Sequence, residues 1–289
     1  MKRIVFLTLA LFVLQACSKK NDAITPADNT PPLPAGNDLP TSFVQRVLLE
    51  TFTGTWCSTC PDADYKRDQI VSTYSGKVIS ITIHNNDSMA IPAYTWYFST
   101  FGTGIPSGMV SRIPSLGNVV LNSNQWLSNT TAALSRTAKC GLSISSSISG
   151  SNANLDIKAG FIEDFSSGLT LNVYLVEDNI TGTGTGYSQA NGFNTITGSP
   201  FYNQGNPINS YVHNRVVRKS VTPNGGEAIP ASSTIKNSIF AKSYSISLSG
   251  INTSNSYVVA FINKTGASST THEILNVQQV KLGQTVSWN

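Results

Sequence analysis

Two short apolar runs stand out near the start of the folded part of the chain. Residues 47–52 and 78–83 are rich in Val, Leu and Ile and contain few turn residues, which predicts two buried strands. The stretch 61–74 between them is compatible with a helix that ends at Ser75-Gly76. A strand, a helix and a second strand in this order predict the crossover unit of a parallel sheet.

The pattern up to residue 139 completes an α/β half. An aromatic helical segment covers 93–101, and residues 118–121 could form a hairpin with a strand over 107–112. Apolar and small residues at helical spacing predict a closing helix over 123–138. We therefore predict an α/β domain over residues 43–139.

From Cys140 onward, apolar residues alternate with Ser, Thr and Asn in short runs separated by turns. This pattern predicts an all-β domain over 140–289, an antiparallel sandwich of Ig-like type. The stretch 178–209 is rich in turn residues, which predicts a long inserted loop that is functional or mobile. The predicted strands cover 142–148, 155–159, 169–176, 211–218, 240–248, 257–262 and 273–282.

The charge balance argues against one class of partner. Lys and Arg number 19, and Asp and Glu number 15. The excess falls to about two once a signal segment that carries Lys2 and Arg3 is removed. An excess this small, without a basic run interleaved with aromatics, gives no support to nucleic-acid binding.

The N-terminus is the most specific segment of the sequence. A basic pair precedes an apolar run over 4–14, which is too short for a transmembrane helix and typical of a signal peptide. The Leu-Gln-Ala-Cys motif that ends at Cys17 resembles the bacterial lipoprotein signal, which implies a signal peptide over 1–16 and a lipid on that cysteine. The alternative, an ordinary signal peptide cleaved after Ala16, would need a small residue where Leu14 stands.

Residues 17–42 are predicted to be the lipidated cysteine and a Pro-rich tether, because Pro, Asn, Asp, Thr and Gly dominate and no apolar periodicity is present. The residue after the lipidated cysteine is Ser18, not Asp. By the same resemblance, this implies an outer-membrane lipoprotein, with its periplasmic or surface face left open.

Cys57 and Cys60 form a Cys-x-x-Cys motif between the first predicted strand and the first helix. The start of a helix presents free N–H groups and the positive end of its dipole, which favour a thiolate at the first cysteine. The pattern predicts Cys57 as an exposed nucleophile and Cys60 as the more buried resolving thiol, able to close a Cys57–Cys60 disulfide.

The stretch 47–61, with Trp56 beside the motif, resembles the active-site region of thioredoxin-like proteins. Ile105-Pro106 resembles the second hallmark of that fold, a cis-proline beside the dithiol whose preceding residue pairs with the substrate backbone. The resemblance implies a thioredoxin-like fold for 43–139. It also implies Trp56, Ile105 and Pro106 as substrate-binding residues, and no metal or organic cofactor.

One departure from the thioredoxin pattern concerns proton transfer. Thioredoxins carry a buried acid on the strand before the motif, and the aligned residue here is Thr51. Strand alternation places the neighbouring Glu50 on the opposite face. The sequence therefore leaves open which group handles protons during exchange.

Two alternatives to a redox site stay open. Cys57 and Cys60 could begin a zinc site with Cys140 and His84, although no second Cys-x-x-Cys and no paired histidines support it. The two cysteines could also form an inert structural disulfide in an oxidising envelope. We expect Cys140 to be a buried free thiol and His84 to be a surface or loop histidine.

The dithiol in a lipoprotein with a β-rich second half also resembles the outer membrane protein 28-related family of Bacteroidota. The segments 211–218, 258–261 and 277–278 carry the rest of this resemblance. It implies an outer-membrane lipoprotein with a thioredoxin-like domain and a C-terminal β domain.

Polar side chains in the second half allow two interpretations. His213 and Arg215 would share one face of the predicted strand 211–218. The first interpretation is that both side chains form hydrogen bonds within a domain or strand interface. The alternative is a ligand site under the long loop, lined by Tyr187, Phe201 and Tyr202.

Two hypotheses about function follow. The first is thiol–disulfide exchange with protein thiols or disulfides through Cys57 and Cys60, at a membrane reached through the lipid on Cys17. The second is a non-catalytic envelope lipoprotein that binds a protein or a glycan through its β domain. The second hypothesis predicts a dithiol that is inaccessible or permanently oxidised.

Overall fold

The computed structural model describes residues 39–289, so the predicted signal peptide, Cys17 and most of the predicted tether lie outside the described residues. The helices are α1 (Cys60–Thr73), α2 (Ala93–Phe101) and α3 (Trp126–Leu134). The strands are β1 (Val47–Thr53), β2 (Val78–His84), β3 (Ser107–Val110), β4 (Cys140–Ser149), β5 (Asn152–Phe161), β6 (Leu169–Glu177), β7 (Val216–Ser220), β8 (Glu227–Ile229), β9 (Ile239–Ser247), β10 (Ser256–Lys264), β11 (Ile274–Lys281) and β12 (Thr285–Val286).

A mixed sheet forms the main layer, with strand order β11-β10-β6-β7-β2-β1-β3 and β8 beside β6. β1 and β2 are parallel, with Val47 opposite Val78, and α1 connects them as the sequence predicts. β3 runs antiparallel to β1, with Leu49 opposite Val110. The remaining strands of this sheet, from β7 to β11, are joined by antiparallel pairings.

The helix boundaries follow local signals in the sequence. α1 has Pro at its first turn, where a missing N–H costs nothing, and it ends just before Gly76, whose φ is 75°. α2 covers the predicted residues and ends at Gly102 in the left-handed conformation. The predicted helix over 123–138 is shorter, because a 3₁₀ turn precedes α3 and Ser135 caps it.

One sheet contains strands from both sides of residue 139. Thr82 of β2 pairs in parallel with Val216 of β7, and the Thr82 amide donates to the Arg215 carbonyl at 2.7 Å. β7 in turn pairs with β6. The α/β half and the β-rich half therefore share a backbone hydrogen-bond network.

The second sheet has strand order β12-β4-β5-β9 and is antiparallel throughout. Its inward side chains, such as Leu155 and Ile157, pack with Val173 of β6 and Val258 of β10 in one buried cluster. The β-rich half is thus two packed sheets, in accordance with the alternating pattern of its sequence.

The two faces of β1 bury different cores. Leu48 and Phe52 pack with Tyr97 of α2, whereas Leu49 packs with Trp126 of α3.

The same alternation places Glu50 on the α2 side of β1 and Thr51 on the α1 side. This confirms the prediction that the two side chains lie on opposite faces of the strand.

The predicted strand over 211–218 is wrong in its first half. The strand here, β7, begins only at Val216, because Arg215 adopts a left-handed backbone with φ of 62° that an extended strand cannot contain. His213 and Arg215 therefore do not share a strand face. Two short strands, β8 and β12, had no signal in the apolar pattern.

Candidate active site: a covered disulfide

Cys57 and Cys60 are joined by a disulfide, with their Cα atoms 5.4 Å apart. β1 ends at Thr53, and Cys60 is the first residue of α1. The pair therefore lies at the carboxyl end of a parallel strand and the amino end of the following helix. The unpaired N–H groups of this helix end favour negative charge at the sulfur of the first cysteine when the bond opens.

The other predicted site residues lie at the same end of the sheet. The Ile105–Pro106 peptide bond is cis, as predicted, and Pro106 immediately precedes β3. The first residue of β3, Ser107, is opposite Phe52 near the end of β1. Trp56 is 50 % exposed, and its Nε1 donates to the Asn85 carbonyl at 2.9 Å. The indole is fixed at its polar edge while half of the ring faces solvent.

The prediction that Cys57 is exposed is wrong, because its side chain is only 5 % exposed. Residues 54–59, which join β1 to α1 and carry Cys57, are called the dithiol loop. The segment between β6 and β7, residues 178–215, folds over this loop, and we call it the cap. The cap amide of Ala190 donates to the Thr55 carbonyl at 2.7 Å, and that of Gly192 donates to the Ser58 carbonyl at 2.8 Å. The long insertion expected from the sequence therefore covers the loop that carries Cys57.

Gln189 of the cap makes the most concentrated contact with the dithiol loop. Its side chain is fully buried, and its Nε2 donates to the Cys57 carbonyl at 2.8 Å. The same nitrogen is 3.3 Å from the carbonyl oxygens of Gly54 and Thr55. These contacts span more than 130 residues of sequence, and nothing in the apolar pattern indicated them.

A buried imidazole–carboxylate pair supports the loop before the dithiol. His84 Nδ1 and Asp87 Oδ2 are 2.7 Å apart, and the same carboxylate accepts from the Thr55 amide at 3.0 Å. The expectation that His84 is a surface or loop histidine is wrong, since it ends β2 and is 1 % exposed. Burial alone would raise the pKa of Asp87, but His84 and the amides of Met89 and Thr55 bring it below its ordinary value.

His213 links the cap to this pair. Its Nε2 is 2.8 Å from the Tyr187 carbonyl, and its ring centroid is 5.3 Å from that of His84. Burial lowers the pKa of His213, and the neighbouring His84 acts in the same direction. His213 is buried and hydrogen-bonded, but its hydrogen bond lies within the cap and its contact with His84 is a ring contact.

On the α1 side of β1, the side chain of Thr51 meets a second hydroxyl and not a carboxylate. Thr51 Oγ1 lies 3.0 Å from Thr82 Oγ1, which accepts from the Arg67 guanidinium at 2.9 Å. Arg67 also pairs with Asp64 at 2.7 Å, and Tyr211 of the cap donates to that carboxylate at 2.9 Å. A buried arginine of α1 is thereby neutralised.

The three residues predicted to line a ligand site play separate roles. The carbonyl of Tyr187 binds His213, while Tyr202 is exposed. Phe201 packs against α1, with its ring centroid 6.5 Å from that of Tyr65. Phe201, through Tyr65, and the Tyr187 ring, which packs against the cluster that contains Met89, therefore take part in the docking of the cap.

Cys140 is a buried free thiol, as predicted, and burial raises its pKa far above the ordinary range. Within residues 39–289, no group of three or more His, Cys, Asp or Glu side chains is arranged to hold a metal ion. In the same range, no helix is long and apolar enough to cross a membrane.

Comparison with known proteins assigns the family. The model of the family described as Outer membrane protein Omp28 matches residues 93–286, about two thirds of the chain. The chain belongs to this family, which places it in the cell envelope at the outer membrane.

Two solved structures match the chain. HBP35 of Porphyromonas gingivalis matches with a TM-score of 0.67 and 18 % identity, over 83 % of this chain and 76 % of that one. Protein AGR_C_4864 from Agrobacterium tumefaciens matches with a TM-score of 0.49 and 14 % identity, over 83 % and 96 % respectively. No curated protein matches the sequence.

Proposed function

We propose that this outer-membrane protein is a lipoprotein, anchored through Cys17, whose thioredoxin-like first half exchanges thiols and disulfides. Cys57 and Cys60 carry the exchange, and Trp56, Ile105 and Pro106 contact the substrate. The observation that carries the proposal is the Cys57–Cys60 disulfide at the start of α1, at the same end of the sheet as the cis Ile105–Pro106 bond. The parallel pairing of β1 and β2 around α1 supports the thioredoxin-like assignment.

The exchange proceeds in two displacements. The Cys57 thiolate attacks one sulfur of a substrate disulfide, so that a mixed disulfide forms and the other substrate sulfur leaves as a thiolate. The Cys60 thiolate then attacks the Cys57 sulfur, which closes the Cys57–Cys60 bond and releases the second substrate thiolate. The substrate gains two electrons, the dithiol loses two, and water protonates the leaving thiolates. The reverse sequence oxidises a substrate dithiol.

Access to the site favours an extended or small partner. Cys57 is almost covered by the cap, whereas Trp56, Ser58 and Thr59 are exposed. A substrate therefore approaches over the exposed Trp56 face and away from the cap. Protein thiols or disulfides in flexible segments meet this requirement.

A second function has two observations in its favour. The burial of Cys57 and the cap hydrogen bonds to Thr55 and Ser58 would also suit a structural disulfide. In that case the chain is a non-catalytic envelope lipoprotein, and the β-rich half binds a protein or glycan.

Trapping of the mixed disulfide separates the two functions. The Cys60→Ser variant keeps the attacking thiol but cannot resolve the intermediate, so it should accumulate a covalent adduct with a disulfide-containing peptide. Cys57→Ser should form none, and Cys140→Ser should leave exchange by the wild-type dithiol unchanged, since that thiol is buried. Equal adduct formation by Cys57→Ser and Cys60→Ser would rule out the assigned roles.

A further inference from the structure

The dithiol loop is held by a side chain from the other half of the chain. Gln189 Nε2 lies among four carbonyl oxygens, with the shortest distance, 2.8 Å, to that of Cys57. The other three distances are 3.3 Å, to the carbonyls of Gly54, Thr55 and Ala190. The side chain is completely buried, so water does not compete for these contacts.

The orientation of the Gln189 amide is fixed by its surroundings. All four hydrogen-bond partners of Nε2 are carbonyl oxygens, and three of them belong to the dithiol loop, so the donor end of the amide must point there. Oε1 is buried and has no hydrogen-bond partner among the described residues. The favourable contribution of this side chain therefore comes from its N–H groups alone.

The cap gives Gln189 a firm support. On the far side of Ala190, the Asn191 side-chain amide donates to the carbonyls of Phe201 and Gly205 at 2.9 Å each. The backbone N–H of Asn191 donates to Asn206 Oδ1 at 2.9 Å. These bonds connect the segment that carries Gln189 to residues 201–206 of the cap, so the backbone of Gln189 is supported from within the cap.

We propose that Gln189 is a positioning residue that favours the closed disulfide and thereby sets the equilibrium between the disulfide and dithiol forms. Cys60 is fixed as the first residue of α1, and Gln189 fixes the backbone of Cys57 facing it. When the disulfide is reduced, the two sulfur atoms must separate. The hydrogen bond from Gln189 to the Cys57 carbonyl resists this movement. The inference rests on the proposed function only in that the disulfide can be opened and closed.

The equilibrium is measured against dithiothreitol, which opens even stable disulfides. Dithiothreitol donates two electrons and two protons, so the Cys57–Cys60 bond becomes two thiols and the reagent becomes its cyclic disulfide. Oxidised and reduced protein are then quantified by alkylation and mass spectrometry across reagent ratios.

Gln189→Met removes the donor and keeps the length and flexibility of the side chain. We expect the constant for disulfide formation to fall about tenfold, which corresponds to a potential about 30 mV less negative. The matched control is Gln204→Met, since Gln204 lies in the same cap and donates to the Pro200 carbonyl, but is exposed and does not contact the dithiol loop. Its constant should equal that of the wild type.

Gln189→Glu tests the donor more sharply. An ionised carboxylate would face four carbonyl oxygens, so the constant at neutral pH should fall at least as far as in Gln189→Met. On acidification the carboxyl becomes protonated and can donate one hydrogen bond, so the constant should return towards that of the wild type at the same pH. A merely structural defect would not recover in this way.

The inference is overturned if Gln189→Met keeps the wild-type constant, if Gln204→Met lowers it equally, or if Gln189→Glu shows no recovery in acid. Failure of the proposed function gives a different result. In that case the constants shift as expected, but Cys60→Ser traps no adduct with the disulfide-containing peptide.

Discussion

The carboxylate of Glu50 receives two hydrogen bonds from the guanidinium of Arg112, at 2.8 and 2.7 Å, and both side chains are fully buried. Tyr97 donates to the same carboxylate at 2.8 Å. The Arg112 guanidinium also lies 5.2 Å from the Phe101 ring centroid and 5.3 Å from that of Phe261. This ion pair therefore lies between β1, α2 and β10, where the two halves of the chain meet.

Breaking this pair from one side should be costly. Arg112→Met leaves the Glu50 carboxylate buried without its partner, and we expect the free energy of unfolding to fall by about 3–5 kcal/mol. Chemical denaturation of wild type and variant measures the difference. Arg136→Met is the control, because Arg136 pairs with Glu273 at the surface and should cost no more than about 1 kcal/mol. Similar losses in the two variants would contradict the assignment of the buried pair.

Asp87 should matter for the stability of the dithiol loop. The Asp87 carboxylate is hydrogen-bonded to the His84 ring and to the backbone amides of Thr55 and Met89. The amide introduced by Asp87→Asn cannot replace all three of these contacts. We expect a loss of about 1–3 kcal/mol in the free energy of unfolding. Asp62→Asn, which removes only a partly exposed pair with Lys66, should change stability by less than about 1 kcal/mol. The account is contradicted if the two variants are equally stable.

Acid should loosen the docking of the cap through His213. Its pKa is lower in the folded state than the unfolded value of about 6.5, so the unfolded chain binds more protons at mildly acidic pH. Stability therefore falls as the pH drops from about 6.5 towards the lowered folded pKa, and is fully present above this window. His84, Asp64 and Asp87 are the ionisable neighbours that act on His213.

Denaturation of wild type and His213→Gln between pH 7.5 and about pH 5 tests this dependence. The loss of stability on acidification should be smaller in the variant, since glutamine does not titrate. The pKa of His272 is also lowered by burial, but His272 is present in both proteins. Its contribution to the pH dependence of stability is therefore the same in both and cancels in the comparison. Parallel pH profiles would show that His213 does not contribute.

Lipid attachment is expected to depend on Cys17 alone. Cys17→Ala should abolish incorporation of a labelled fatty acid and release the protein from the membrane fraction, because the acyl chains supply the membrane affinity. Cys140→Ser should retain both the label and the membrane association. Unchanged labelling of Cys17→Ala would refute the lipoprotein assignment.

Local patterns in the sequence predicted a large part of the fold. The apolar runs at Val47 and Val78 are strands, the aromatic segment 93–101 is a helix, and the Cys-x-x-Cys motif lies at a strand–helix junction. Each of these depends on neighbours in the sequence, so periodicity and turn residues reveal it. The alternation after Cys140 likewise predicted most strands of the two packed sheets.

The surroundings of the dithiol could not be predicted in the same way. The cap reaches Cys57 through Gln189, a polar residue in a turn-rich stretch that has no periodic signal. The sequence predicted His84 as a surface or loop residue, because its surroundings include His213, which is 129 residues away, as well as Asp87. The strand expected over 211–218 failed at Arg215, whose left-handed backbone no residue preference indicated.

The most direct test of the central proposal is a redox titration of the protein without its lipid anchor in glutathione buffers, with alkylation and mass spectrometry to count modified thiols. The account predicts a reversible transition of two thiols, Cys57 and Cys60, which is absent in Cys57→Ser. A wild-type protein that shows no transition across the whole series would contradict it, and would mean that the disulfide is structural.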